Sequence, residues 1–352
     1  MRVLLTGAAG FIGSHVHAAL RKGGHEVVAV DLMLPAAHGP GAEPPEGVHQ
    51  VDIRTAGGLD PLLRGIDVVC HQAAVVGAGI DTQDAPAYAG HNDYGTAVLL
   101  AAMERAGCAR LVLASSMVVY GEGLYRGPDG IVEVTGRSSA DLAAGHFEHR
   151  RDGTDLTWVP VPEGTPSRPR SLYAASKVAQ ENYATAWSAA TGGAVTALRY
   201  HNVYGPGMPR DTPYSGVAAI FRSALAAGRA PQVFEDGRQT RDFVHVADIA
   251  AANVSAIEAA LPGFVPLNIC SGHPVTIGAV ARTLAAAHGG PDPVITGAAR
   301  SGDVRHIVAD PARARQVLGF AARIAPADGL VEFASAPLRP AAEAIAGAAP
   351  GR

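Results

Sequence analysis

Charge, cysteine and aromatic side chains are all scarce in this 352-residue chain. Charged residues amount to 17% and the net charge is -4, with no long run of one sign. That leaves no broad basic surface for a nucleic acid, so an anionic ligand has to be held locally. The three cysteines, Cys70, Cys108 and Cys270, are an odd number set in or beside apolar runs. They exclude a disulfide-stapled scaffold and suit buried thiols in a reducing cytoplasm. No stretch reaches the roughly 18 unbroken apolar residues of a membrane span, and Met1 to Thr6 runs into a Gly-rich turn too soon for a signal peptide.

What is present is apolar material, 48% of the residues, enough for a large core. Short β-branched runs alternate with helix-period segments: Val3-Leu4-Leu5, Ile12 to Arg21, Val27 to Val30, Val68-Val69, Leu111 to Leu113. This rhythm predicts βαβ units, a doubly wound parallel sheet of the Rossmann type covered on both faces. Asn92 to Arg105 and Tyr173 to Thr191 read as long helices. Pro/Gly-rich stretches at Pro35 to Gly47, Glu122 to Pro169 and Gly205 to Pro213 read as loops or insertions. Beyond Gly205 the alternation becomes irregular, as in a smaller α/β lobe, and the Ala/Pro-rich tail is expected to be peripheral or frayed.

Thr6-Gly7-Ala8-Ala9-Gly10-Phe11-Ile12-Gly13 lies between the first strand and the first helix, the setting a phosphate loop requires. Gly7 allows the tight turn, Gly10 the approach of a pyrophosphate, and Gly13 close helix packing, with the amides of Phe11 and Ile12 at the helix N-terminus. Asp31 ends the second strand, 18 residues after Gly13. Its carboxylate accepts from both ribose hydroxyls and repels a 2′-phosphate. Leu32, Met33 and Leu34 follow, with no Arg to receive that phosphate, so the dinucleotide is expected to be NAD. Asp52 and Ile53 close the next strand, against adenine.

Tyr173 and Lys177 stand four residues apart on one helix face. A phenol ionises near pH 10, so a tyrosine base working near neutrality needs about 4 kcal/mol in favour of phenolate. Lys177 supplies part of this, and the positive nicotinamide ring more. Leu113 to Gly121 is an apolar strand ending in Ser115 and Ser116 at the carboxyl edge of the sheet, where ligands bind. There Ser116 donates to an oxygen passing between alcohol and ketone, while Tyr173 exchanges its proton.

With these motifs stand His71-Gln72-Ala73-Ala74, Asn92 to Thr96, Arg199 to Gly207, Arg241 to Val246 and Arg300 to Arg305. Over about residues 1 to 333 the chain resembles the extended short-chain dehydrogenases/reductases, in the NAD-dependent nucleotide-sugar epimerase and dehydratase group. The resemblance implies Ser116, Tyr173 and Lys177 as catalytic residues, with Lys177 also on the nicotinamide ribose and Ala73 and Asn92 along the cofactor. It implies Asn202, Arg241 and Arg300 on the sugar-nucleotide diphosphate and Asp303 near the nucleoside ribose, and Phe234 is placed against the base. Residues 1–203, with an insertion at 122–170, are expected to bind NAD. Residues 204–333 mainly bind substrate, some segments returning to the sheet, and 334–352 form a tail. A homodimer through the two long helices is expected.

Relatives that eliminate water carry an acidic pair directly after the hydroxyl residue. Here Met117 and Val118 stand there, which disfavours a dehydratase and leaves everything a 4-epimerase needs. Pro213 to Val217, Glu235 to Gln239 and the long insertion resemble the dTDP-L-rhamnose 4-epimerase subgroup, pointing to a dTDP- or UDP-sugar. The insertions of such relatives can carry cysteines. This one has only His146 and His149, too few for zinc, so no metal is expected. The rival readings are another nucleotide-sugar oxidoreductase, a UDP-glucuronate-type decarboxylase, or a silent NAD-binding protein of the same fold.

Overall fold

The apolar runs become strands with two buried faces. The computed structural model describes residues 1–77, 79, 81–210, 216–300 and 302–339. Seven strands, β1 (Arg2–Thr6), β2 (Glu26–Asp31), β3 (Val48–Gln50), β4 (Val68–His71), β5 (Arg110–Ser116), β6 (Ala194–Tyr200) and β7 (Phe264–Ile269), form one parallel sheet in the order β7-β6-β5-β4-β1-β2-β3. Alternation divides their side chains between two cores. Val3, Leu5, Val68, Cys70 and Val112 meet α1 (Phe11–Lys22) on one face. Leu4, Val69, Leu111 and Leu113 pack on the other, with Leu99 and Met103 of α2 (Gly95–Ala106) and Ala184 and Trp187 of α3 (Leu172–Thr191).

The order reverses between β1 and β4, which opens a crevice at their carboxyl ends. α3 enters that edge with Ser171 as cap, its hydroxyl accepting the Ala174 N–H at 3.2 Å. The expected helix from Asn92 begins instead as a π-type turn, Ala89–Tyr94, before α2. Asp52 lies two residues beyond β3 rather than at its end, where its carboxylate accepts the N–H of Arg54 at 2.9 Å.

The insertion is not a loop. Leu124–Gly127, Gly130–Val132 and Thr157–Val159 make a three-stranded antiparallel sheet around the fully buried Tyr125. Gly127-Pro128-Asp129-Gly130 is the turn of its hairpin rather than a break in structure. The second lobe gathers the helices Val217–Ala226, Ile277–His288 and Pro326–Phe333 around Phe221, Leu284 and Phe333. The tail is docked over its described part: Ala334 and Ala336 are buried, and Gly207 donates its N–H to the Pro337 carbonyl at 2.8 Å. Pro213 to Ser215, Ser301 and the tail from 340 lie outside the described residues. Among the described residues no helix is long and apolar enough to cross a membrane.

Candidate active site

At the crevice, the Gly-rich turn has no room for side chains. Gly7 has φ +68°, and a Cβ there would fall 2.7 Å from the Ala73 nitrogen; a Cβ on Gly13 would fall 1.9 Å from the Gly7 carbonyl. Phe11 packs toward the second lobe and Ile12 into the sheet core, so each offers the site only its backbone amide. Asp31 accepts the N–H groups of Ala9 (3.0 Å) and Met33 (2.9 Å), with His38 Nε2 at 3.4 Å. Burial pushes its carboxyl up, but the His38, Met33 and Ala9 hydrogen bonds outweigh this and hold it below the ordinary value. A cavity of about 130 Å³ runs past Gly7, Gly10, Asp31, Asp52, Ile53 and Ala73. A cradle closed to Cβ atoms beside an ionised carboxylate fits an adenosine dinucleotide.

Two expected cofactor contacts also make hydrogen bonds within the protein. Arg54 grips Asp52 through Nε (2.9 and 3.0 Å) and Nη2 (2.7 Å). Asn92 is fully buried, its Oδ1 accepting the Val75 N–H at 2.8 Å and its Nδ2 donating to the Val75 carbonyl and Ser176 Oγ, both at 2.9 Å. It ties the cavity wall to α3 instead of lining it.

Ser116, Tyr173 and Lys177 meet where β5 ends against the first turns of α3. The Ser116 hydroxyl, which accepts the Val118 N–H at 3.3 Å, acts to lower the pKa of the Tyr173 phenol. Lys177 Nζ is 5.9 Å from the phenol ring centre and donates to the Ala114 carbonyl and Gln180 Oε1, both at 2.9 Å. Burial pushes the Tyr173 phenol above its usual value, against the help of Ser116. The phenolate expected from the sequence is therefore not stabilised by the protein alone. Burial lowers Lys177 to about 8, opposed by Glu181 and Asp93. A buried chain continues from Gln180 to Thr96 (2.7 Å), His71 (3.0 Å) and Thr6 (2.7 Å). Burial, with Lys177, drives His71 down to about 3, so it remains neutral. Ser115 turns away to Glu181 at 2.5 Å.

A second cavity, about 430 Å³, is lined by five of the expected substrate residues, Asn202, Phe234, Arg241, Arg300 and Asp303. Arg241 donates to the carbonyls of Thr240, Arg305 and Val304 and is pushed down by burial. Among the described residues no carboxylate stands within ion-pair distance of it, so an anion in the cavity would be its partner. Arg300 stacks over Phe234, 4.4 Å from the ring centre. Arg305, fully buried, is a structural knot: it binds Glu148 of the insertion at 2.5 Å and Glu235 and Asp236 of the second lobe at 2.7 Å.

The sequence reading passed over His201. It is 3% exposed, neither ring nitrogen has a partner among the described residues, and it follows Tyr200, which pairs with Ser116 across the sheet. Among the described residues the Oδ1 of its neighbour Asn202, which lines the second cavity, is also buried without a partner.

A profile of the NAD dependent epimerase/dehydratase family matches residues 3–144 and 152–270. The dTDP-L-rhamnose 4-epimerase of Burkholderia thailandensis is 35% identical, over 91% of this chain and 90% of its own. A solved structure of MoeE5 in complex with UDP-glucuronic acid and NAD is 32% identical, with TM-score 0.75, over 95% of this chain and 98% of that one. The UDP-glucose 4-epimerase of Thermotoga maritima, solved with UDP-glucose, is 28% identical with TM-score 0.78, over 95% and 97%.

Proposed function

The chain belongs to the NAD dependent epimerase/dehydratase family, and from that premise we propose that it is an NAD-dependent 4-epimerase of a nucleotide-diphosphate sugar, dTDP- or UDP-linked. One observation carries the choice of reaction: the hydroxyl, phenol and ammonium of Ser116, Tyr173 and Lys177 converge at the sheet edge, and the residues after Ser116 are Met117 and Val118. NAD, when bound, would supply the acceptor and donor of hydride for this chemistry. Tyr173 takes the proton of the C4 hydroxyl and returns it, Ser116 donates to the same oxygen, and Lys177 orients the ribose and favours phenolate. Without an acid at 117 or 118 the 4-keto sugar keeps its C6 hydroxyl, and reduction of its opposite face inverts C4.

Gly7, Gly10, the amides of Phe11 and Ile12, Asp31, Ile53 and Ala73 would hold the dinucleotide. Asp52 and Asn92 support them through Arg54 and Val75. Residues 1–203 form the cofactor unit and 204–333 mainly the sugar-nucleotide lobe, with Arg241 and Arg300 on the diphosphate, Asp303 on the ribose and Phe234 at the base. The enzyme is a homodimer through α2 and α3, and its buried thiols suit a cytoplasm.

Substrate deuterated at C4 tests the reaction. The epimer should keep its label, with no rise in NADH absorbance. Label lost to solvent, steady NADH accumulation, or carbon dioxide released from a uronic-acid sugar would each replace the 4-epimerase with a different reaction.

A further inference from the structure

We propose that Arg339, from the end of the chain, belongs to the dinucleotide site and binds the cofactor's pyrophosphate; this rests on the NAD reading above. Three main-chain hydrogen bonds lay residues 337–339 along 207–210. Gly207 donates to Pro337 (2.8 Å), Arg339 to Met208 (3.0 Å) and Arg210 to Arg339 (3.1 Å), and Pro209 and Arg339 form a parallel bridge. Leu338 packs in the same apolar cluster as Phe11, and His15 of α1 meets the Pro206 carbonyl at 2.9 Å. The result is a fixed strap over the N-terminus of α1. From it Arg339 Nη1 donates to the Ala9 carbonyl at 2.7 Å, in the middle of the Gly-rich turn.

A cation is out of place there. The N-terminus of a helix carries partial positive charge and repels a guanidinium. Burial lowers the pKa of Arg339, and only Asp31 acts to raise it. Among the described residues no carboxylate comes within ion-pair distance of Arg339. Two positive centres facing one Gly-rich turn are mutually unfavourable until an anion lies between them, and a pyrophosphate there would accept from both. Asp31 addresses the ribose; Arg339 would complete the adenosine diphosphate end.

Calorimetry with Arg339→Gln and Arg339→Lys, against NAD, ADP-ribose and adenosine, tests this. Arg339→Gln should bind NAD and ADP-ribose about 10- to 100-fold more weakly, the worth of a charge-assisted contact. Adenosine binding should be unchanged, and Arg339→Lys should recover part of the loss. Unaltered NAD affinity, or equal weakening of adenosine, overturns the proposal, the second because Arg339 would then only shape the pocket. Wild-type protein that fails to bind NAD would instead overturn the cofactor reading. Matching unfolding temperatures of variants and wild type, without NAD, confirm that the comparison is between folded proteins.

Discussion

Lys177 holds its proton against burial. Its ammonium is brought to about 8 by desolvation, with Glu181 and Asp93 pulling the other way. A lowered lysine pKa means that the charged form is lost as pH rises through that value, so kcat/KM should fall on the alkaline side near pH 8. Asp93 is itself raised by burial to about 6, against the pull of Lys177, and among the described residues its buried Oδ1 has no partner. It is therefore mostly ionised at neutral pH. Asp93→Asn removes one of the carboxylates that favour the ammonium and should move the alkaline limb to lower pH, read from a pH profile of kcat/KM. A profile identical to wild type would show that Asp93 does not act on Lys177.

Buried charge joins the insertion to the second lobe, alongside the apolar cluster of Val161, Leu124, Ile307 and Val304. Replacing Arg305 with Met leaves Glu148, Glu235 and Asp236 without their shared cation and should cost about 3–5 kcal/mol, the usual penalty for breaking a buried pair, measured as a lower urea midpoint. Burial pushes the Glu148 carboxyl up, but His306 and Arg305 prevail and bring it down to about 2 from an ordinary 4.5. A depressed carboxylate contributes its stability above the unfolded value and loses it as pH falls through the folded one. The clasp should therefore weaken between about pH 4.5 and 2. In Glu148→Gln that part of the acid transition should vanish. If the variant loses stability over the same range as wild type, other carboxylates govern the acid opening.

Across the whole molecule, the long helices α2 and α3 lie on one side of the sheet. Tyr183 on α3 and Tyr94 just before α2 remain 48% and 58% exposed. Large aromatics left in water on neighbouring segments are what an isologous helix interface covers. Light scattering should give twice the mass of one chain, and Tyr183→Glu should drive it toward a single chain. A wild-type protein that scatters as a monomer would refute the dimer.

Residues close in sequence spoke for themselves. The Gly7 to Gly13 turn, Asp31 at a strand end and the four-residue step from Tyr173 to Lys177 are local patterns, and βαβ rhythm follows from side chains buried on both sheet faces. Whatever depended on distant segments meeting was decided only by the tertiary structure. Asn92 and Asp52 were legible as candidate site residues, but not that Val75 and Arg54 engage them. The Gly and Pro of the insertion concealed a small sheet, because turn residues mark reversals whether or not strands flank them. Arg305 could equally have met a ligand or a carboxylate until folding brought Glu148 to it from 157 residues away. No Arg stands directly after Asp31 in sequence, yet one arrives at Ala9 from 330 residues away, because chain distance does not limit Coulombic reach once backbone hydrogen bonds fix where the chain returns.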